Sequence, residues 1–409
     1  MQVAEIISDV IGPDVPIRVV AYDGSKAGPD RSEVALRILT PRALARLATA
    51  PGTLGLARAY VTGEIEVDGD VYEVLDAMAD LTLHDLGRRE QLQLARKLFP
   101  VWLRHRQPPP ALEYRPPGRL HSKSRDSKAI AHHYDVSNRF YELVLGPSMA
   151  YTCAVFPTRD ATLEEAQAAK HELVAQKLAL ASGKTLLDVG CGWGGMVMHA
   201  AAEHGVKALG VTLSRNQAEW AQAEIERRGL SHLAEVRHLD YRDAPESEFD
   251  AISSIGLTEH IGKANLASYF ASLYERLKPE GRLLNHCITQ PHTPTRRLDP
   301  FIARYVFPDG QLEPVGHLIS VMNDTGFEIR HEENLREHYA LTLAGWGANL
   351  EAHWDEAVAE VGLGRARVWR LYMAASRLGF ERDNIQLHQV LGVKLGERAR
   401  SGFPLRGWY

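Results

Sequence analysis

The sequence predicts an α/β protein: a mostly parallel sheet with helices on both faces, joined to a small α+β domain at the N-terminus. Three observations carry this. From Asp160 onward, short apolar strands alternate with helical patterns, as in strand–helix–strand units. A glycine-rich turn, Asp188-Val-Gly-Cys-Gly-Trp-Gly-Gly195, follows the first of these strands and precedes a helix. A proline-rich, basic stretch over 104–128 separates this region from what precedes it. The expected organisation is a small domain over 1–103, a linker over 104–128 and the main domain over 129–409. A length of 409 residues fits two domains better than one core.

In the first domain, Ile17-Arg-Val-Val-Ala-Tyr22 and Ala35-Leu-Arg-Ile-Leu39 alternate like strands. Pro41 opens a helix running to Ala50. Pro51-Gly-Thr-Leu-Gly55 reads as a turn. A helix over Glu90–Leu103, with Leu94, Leu98, Phe99 and Trp102 beside Arg96, Lys97 and Arg104, is expected to break at Pro100. In the linker, Arg104, Arg106, Arg115, Arg119, Lys123, Arg125 and Lys128 oppose only Glu113 and Asp126. A solvated linker explains that charge. Attraction to anionic lipid headgroups explains it as well.

In the main domain, Thr162-Leu-Glu-Glu165 is a capping box. The helix behind it is expected to bury Ala166, Ala169, Leu173 and Leu180. Strands are expected at Thr185–Val189, Ala208–Thr212, Ala234–Leu239, Phe249–Ser254 and Gly281–His286, with Ser214 capping the helix after the second.

Composition narrows the function. Hydrophobic residues make up 45% and charged residues 24%, as in a folded globular protein. A net charge of −5 argues against a general nucleic-acid binder. Cys153, Cys191 and Cys287 are too scattered for a disulfide framework or a zinc pair, so no metal site is expected and a cytoplasmic setting is. The N-terminus does not read as a signal peptide. No run of 18 apolar residues occurs, so nothing is expected to span a bilayer.

The glycine turn admits close approach of a ligand at Gly190, Gly192 and Gly194. No Gly-Lys-Ser/Thr follows, so it is not a phosphate loop. Its place after a strand ending near Asp188 resembles motif I of the class I (Rossmann-like) methyltransferases. One departure matters. The second strand ends Gly210-Val-Thr-Leu-Ser-Arg-Asn-Gln217, without the acid that commonly holds the ribose. Thr212 and Gln217 are expected to do related work. Asp240-Tyr-Arg242 is placed to frame the adenine.

Further segments extend the resemblance: His132-His-Tyr-Asp-Val-Ser-Asn138, Tyr151-Thr-Cys-Ala154, Ser254-Ile-Gly-Leu-Thr-Glu-His-Ile-Gly262, His286-Cys-Ile288, Tyr305-Val-Phe-Pro308 and His338-Tyr339. In this order they resemble the cyclopropane fatty acid synthase family from about Ala129 to the C-terminus. Gly52-Thr-Leu-Gly-Leu56 resembles the small domain of the longer, phospholipid-acting members, which implies a lipid-docking role for 1–103. The resemblance implies S-adenosylmethionine as methyl donor. The contacts it implies are Tyr151, Thr152, Asp188, Gly190, Gly192, Gly194, Thr212, Leu213, Gln217 and Ile255, with Asp240, Tyr241 and Arg242 at the adenine. It also implies a catalytic bicarbonate held by Cys153, Glu259, His286, the Ile288 amide and Tyr339.

Taken singly, these residues have plainer readings. Cys153 could be a small buried hydrophobe, His286 a core histidine, Glu259 a helix cap and Tyr339 packing. It is the joint pattern that favours function.

An alkene has no proton to remove first, so a base that activates a nucleophile is unnecessary. Positioning and dryness matter instead. Leu257, Ile261, Phe301, Ile302 and Val306 are candidate acyl-channel lining. Gly256-Leu-Thr-Glu-His-Ile-Gly262 and Ala57-Arg-Ala-Tyr-Val-Thr-Gly63 resemble the 10-methylene fatty acid synthases of the tuberculostearic acid pathway, and the ring-forming enzymes usually carry an aromatic residue where Thr258 stands, so a methylene product is expected rather than a cyclopropane. A separate flavin-type reductase would then complete the branch. The other implied partners are membrane phospholipids with unsaturated chains, reached from the inner membrane surface, and a second copy of the chain in a homodimer. Rival readings are a methyltransferase of a small-molecule oxygen or nitrogen nucleophile, and an inactive lipid-binding protein.

Overall fold

The structure is a computed structural model that describes residues 2–12, 15–50, 52–79, 96, 99–118, 125, 136–292 and 298–407. The chain forms two compact units. One comprises Met1–Arg115, Asp299–Val306 and Trp354–Leu378, and the other Pro116–Leu298, Phe307–His353 and Gly379–Tyr409.

The first unit has a four-stranded sheet of β1 (Arg18–Ala21), β2 (Lys26–Ala27), β3 (Ala35–Ile38) and β4 (Ile65–Asp68) in the order β2-β1-β3-β4. Helix α1 (Val3–Ile11) packs on it through Ile6 and Ile7. Helix α2 (Pro41–Thr49) starts at the expected proline, and a short α4 (Val71–Ala77) follows β4. The turn expected at Pro51–Gly55 is shorter than the sequence suggests. Gly52 (φ 95°) is the N-cap of α3 (Thr53–Val61), so Gly55 lies inside a helix. A Cβ on Gly55 would sit 2.2 Å from the Ala50 carbonyl oxygen, so this glycine permits the close α2–α3 approach. Residues 99–105 are helical, so Pro100 does not end the helix there. Most of the preceding 90–98 lies outside the described residues.

Distant segments join this unit by specific bonds. The Arg58 guanidinium grips Glu113, and the Tyr305 hydroxyl donates to Glu113 at 3.3 Å. The Thr53 hydroxyl donates to Asp299 at 2.8 Å. The Arg367 guanidinium donates to the Tyr60 carbonyl oxygen at 3.1 Å. Phe301 and Val306, expected along the acyl channel, are buried in this unit and Ile302 is half-buried.

The second unit holds a seven-stranded sheet: β5 (Thr185–Val189), β6 (Lys207–Thr212), β7 (Ala234–His238), β8 (Phe249–Ile255), β9 (Leu277–Thr289), β10 (Phe327–Asn334) and β11 (Gln386–Lys394). The order is β10-β11-β9-β8-β5-β6-β7. The five strands from β9 to β7 are parallel, β11 runs antiparallel to β9, and β10 runs antiparallel to β11. The expected strands are all present, while β10 and β11 are additions.

Both faces of this sheet are covered. Leu186 points into a core with helices α6 (Leu163–Lys177), α7 (Gly195–His204) and α8 (Arg215–Arg227). Its neighbours Leu187 and Val189 point into the other core, with α10 (Leu266–Arg276) and α11 (Val315–Thr325). Helices α5 (Asn138–Leu145), α9 (Thr258–Ile261) and α12 (Arg336–Ala352) complete the unit. The chain leaves central β5 toward β6 and β7, then returns to build β8 and β9 on the other side. That reversal opens a crevice at the C-terminal ends of β5 and β8, where ligands bind in such sheets.

Candidate active site

A cavity of about 230 Å³ occupies this crevice. The turn after β5 forms its floor. Gly190, Gly192 and Gly194 have φ of 73°, 56° and 78°, where a side chain is strained. A Cβ on Gly190 would press on Leu257 at 3.2 Å. Asp188 is buried behind the turn and accepts from the Ser253 hydroxyl at 2.7 Å. Burial pushes its carboxyl up to about 6.

Of the residues expected at the cofactor, Tyr151, Thr152, Asp188, Gly190, Gly192, Thr212, Leu213, Gln217, Tyr241, Arg242 and Ile255 line the cavity. Gly194 and Asp240 do not. Gly194 lies against Ala221 and Val236, and Asp240 clamps Arg242 through Nε at 2.8 Å and Nη2 at 2.6 Å. At the end of β6, where an acid is missing, the Thr212 hydroxyl donates to Gln217 Oε1 at 2.7 Å. With that carbonyl engaged, the Gln217 NH2 is the donor left for a ribose.

The five residues expected around an anion lie outside the cavity lining and form two walls. On one, Glu259 of α9 accepts the Ile288 amide at 2.6 Å, and His286 stands two residues earlier on β9. The Ile288 amide was expected to hold the anion directly; here Glu259 Oε1 occupies it. On the other wall, the Cys153 thiol donates to the Ala154 carbonyl oxygen at 3.2 Å, and the Ala154 amide donates to the Thr342 hydroxyl of α12 at 3.0 Å. That helix also carries Tyr339, stacked on Phe380 at 4.5 Å between ring centroids. Trp346 links this wall to the cavity, with ring centroids 6.0 Å from Tyr339 and 5.3 Å from Tyr151.

Two buried polar atoms here have no hydrogen-bond partner among the described residues: Glu259 Oε2 and His286 Nε2. Buried polar atoms are ordinarily satisfied, so a water, an ion or a ligand would complete these two. The tautomer of His286 follows from its neighbours. Buried Lys177 donates to Gln389 Oε1 at 2.7 Å, which fixes the orientation of that amide. The Gln389 NH2 then faces His286 Nδ1 at 3.1 Å. Nδ1 must accept, so Nε2 carries the proton and is the unpartnered donor. Burial and the charges of Lys170 and Lys177 hold the ring neutral. Glu333 pairs with Lys177 behind this chain. Burial pushes the Glu259 carboxyl up to about 7, against the lowering effect of the Ile288 amide, and keeps the Cys153 thiol protonated. The corner at His286 and Glu259 offers a buried N–H and a carboxyl near half-protonation, while the Cys153 thiol is engaged by the Ala154 carbonyl oxygen.

Residues 121–390 match the mycolic acid cyclopropane synthetase family. The chain belongs to that family. The probable fatty acid methyltransferase Rv3720 of Mycobacterium tuberculosis is 52% identical over 96% of this chain and 95% of its own length. Tuberculostearic acid methyltransferase UfaA1 from the same organism is 32% identical over 93% of this chain and 88% of its own. The crystal structure of mycolic acid cyclopropane synthase CmaA1 with SAH and CTAB superposes with a TM-score of 0.62 at 32% identity, covering 66% of this chain and 98% of that one. As a member of the cyclopropane synthetase family, the chain is an S-adenosylmethionine-dependent enzyme that modifies fatty acyl chains, on a class I methyltransferase fold.

Sequence reasoning missed several residues of this family member's site. Lys170 and His171 of α6 line the cavity, and Lys177 and Gln389 set the His286 tautomer. The available signal was two lysines, at 170 and 177, on a face shared with Ala166 and Val174. The family segment His132–Asp135 lies outside the described residues.

Proposed function

We propose that this enzyme transfers the methyl group of S-adenosylmethionine to the cis double bond of an unsaturated, oleoyl-like acyl chain in a membrane phospholipid, leaving a 10-methylene branch. The observation that carries this is the pair of buried atoms, His286 Nε2 and Glu259 Oε2, that have no hydrogen-bond partner among the described residues.

S-adenosylmethionine supplies a methyl group on a positively charged sulfur. Transfer to an alkene leaves positive charge on the acyl chain, which water would quench. Leu257 and Ile261, both on the cavity wall, help exclude that water. A bicarbonate in the corner would supply the proton acceptor. His286 would hold it through the Nε2 proton and Glu259 would orient it, with Cys153 and Tyr339 as the other residues expected to contact it. A second anion beside Glu259 raises its proton affinity further, so Glu259 becomes a donor when the corner is filled.

If a hydride shifts along the chain before proton loss, a methylene results. Without the shift, a ring closes. The likeness to UfaA1 favours the methylene, and the likeness to CmaA1 keeps the ring as the second reading. Thr258, where ring-forming enzymes carry an aromatic residue, is buried and donates to Asn285 at 2.5 Å. A methylene product needs a separate reductase to become a methyl branch. Among the described residues no helix is long and apolar enough to cross a membrane, so the enzyme would meet its lipid from the membrane surface.

Mass spectrometry of phospholipid acyl chains from oleate-making cells, with and without this protein, tests the reading. The expected product gains one CH2 and takes up one H2 on hydrogenation. A gain without hydrogen uptake means a ring. No gain, with protein that binds S-adenosylmethionine, rules out the lipid assignment.

A further inference from the structure

One cluster of side chains has no part in the chemistry described above. Glu172 lies on α6, and His199 and His204 lie on α7. Glu172 Oε2 is 3.2 Å from His199 Nε2 and 3.0 Å from His204 Nε2. The ligand atoms of the three side chains all lie within 4.8 Å of one another. Among the described residues no other trio of histidine, cysteine, aspartate or glutamate side chains converges in this way. Hydrogen bonding alone would satisfy Glu172, but the geometry goes beyond it. Both imidazoles present the same nitrogen to the same oxygen. Five residues apart on a helix, two side chains start about 140° apart around the axis, so the spacing alone does not bring them together. Here the two rings nevertheless meet, with centroids 5.6 Å apart. The other carboxylate oxygen, Glu172 Oε1, accepts from the Gln176 amide at 3.0 Å. An outer bond of that kind orients a ligating carboxylate. The side chains of His199, His204 and Glu172 are 16%, 20% and 41% exposed, so an ion can enter from solvent.

We propose that Glu172, His199 and His204 bind a divalent first-row metal ion, zinc being the best fit, and that the ion ties α6 to α7. Two imidazoles and one carboxylate are a donor set for zinc, whereas magnesium and calcium take oxygen ligands. Ligand atoms about 2.1 Å from a tetrahedral zinc lie about 3.4 Å from one another. The two nitrogen–oxygen distances of 3.2 and 3.0 Å are close to that edge already, so small side-chain turns complete the site. A water takes the fourth position from the solvent side. The tie joins the helix behind the capping box to the helix that starts at the glycine turn. His171, next to Glu172, continues the contact inward: its ring centroid is 5.7 Å from that of His199, and a Cβ on Gly195 would meet its Cε1 at 3.0 Å. No cysteine pair and no histidine pair four residues apart marks the site in the sequence. The packing of α6 on α7 assembles it.

The test uses the full chain without a purification tag, stripped by a chelator and then titrated with zinc in a calorimeter. Melting is followed with no metal, with zinc and with magnesium. The native protein is expected to take up one zinc per chain and to melt about 5 °C higher at saturating zinc, with no rise in magnesium. Glu172→Gln keeps an acceptor for both histidines but is a poor ligand, and His204→Asn removes a partly exposed imidazole. Each is expected to bind zinc more than about tenfold more weakly, beyond what the loss of an outer partner costs, and to lose the rise in melting temperature. Melting without metal shows that each variant is folded, and either one alone decides the outcome. A native protein that takes up no zinc overturns the proposal. So does an equal rise with magnesium, and so do folded variants that keep the native zinc affinity and the native rise.

Discussion

Glu259 holds its proton more tightly in the folded protein than an ordinary glutamate does, and that links stability to pH. Its folded value is about 7 against 4.5 when unfolded. Between these values the folded state keeps a proton that the unfolded state has lost, so stability falls as pH rises through this window. The loss amounts to about 3 kcal/mol. Glu259→Gln cannot ionise. Its melting temperature is expected to fall less than that of the native protein between pH 5 and pH 8, and parallel curves would contradict the assignment. Gln389 gives a second prediction. Gln389→Leu removes the donor that fixes the His286 tautomer, so turnover is expected to drop by about tenfold to a hundredfold. Affinity for S-adenosylmethionine should stay unchanged in calorimetry. His286 and Glu259 were legible in the sequence because they lie in short family segments. Gln389 was not, because it meets His286 only through the pairing of β11 with β9, 103 residues away.

Helix α6 is an element read correctly whose buried face was foreseen only in part: Ala166 and Leu180 are buried as expected. Its capping box forms as expected, with both reciprocal bonds between Thr162 and Glu165. Thr162→Ala is expected to cost about 1 kcal/mol in chemical denaturation. The buried face, however, is centred on Ala166, Lys170, Val174 and Lys177, while Ala169 and Leu173 are only half-buried. Apolar residues alone pointed to Ala169 and Leu173 as well and passed over Lys170 and Lys177, because a lysine is read as solvent-facing until a buried partner is known. Here Thr152, Gln389 and Glu333 are those partners. The central strands were legible as near-continuous apolar runs. Strand β10 was not. It reads Phe-Glu-Ile-Arg-His-Glu-Glu-Asn and buries only Phe327, as a charged edge strand does.

For the whole molecule, the α/β class and the crevice followed from the alternation and the glycine turn, but the composition of the first unit did not. Asp299–Val306 and Trp354–Leu378 join it through side-chain bonds such as Tyr305–Glu113 and Arg367–Tyr60, which no local pattern announces. The basic linker also changes meaning in part. Arg125 forms a two-bond ion pair with Asp309, at 2.7 Å each, so its charge is already engaged. Arg119 and Lys123 lie outside the described residues. If the linker attracts anionic headgroups, replacing Arg115, Arg119 and Lys123 with Gln weakens binding to phosphatidylglycerol vesicles at low salt by about 1 kcal/mol per residue. Arg125→Gln should lower stability more than vesicle affinity. Sedimentation with vesicles measures the first effect and thermal melting the second.

The central claim is methyl transfer to an acyl double bond. Purified protein is incubated with oleoyl-phospholipid vesicles and S-adenosylmethionine carrying a fully deuterated methyl group, and the released fatty acids are weighed by mass spectrometry. The account predicts a product that gains one carbon and two deuterium atoms, because the third deuterium leaves as the proton lost in the last step. A product that keeps all three deuterium atoms, or label found only on a headgroup nitrogen or oxygen, would contradict it.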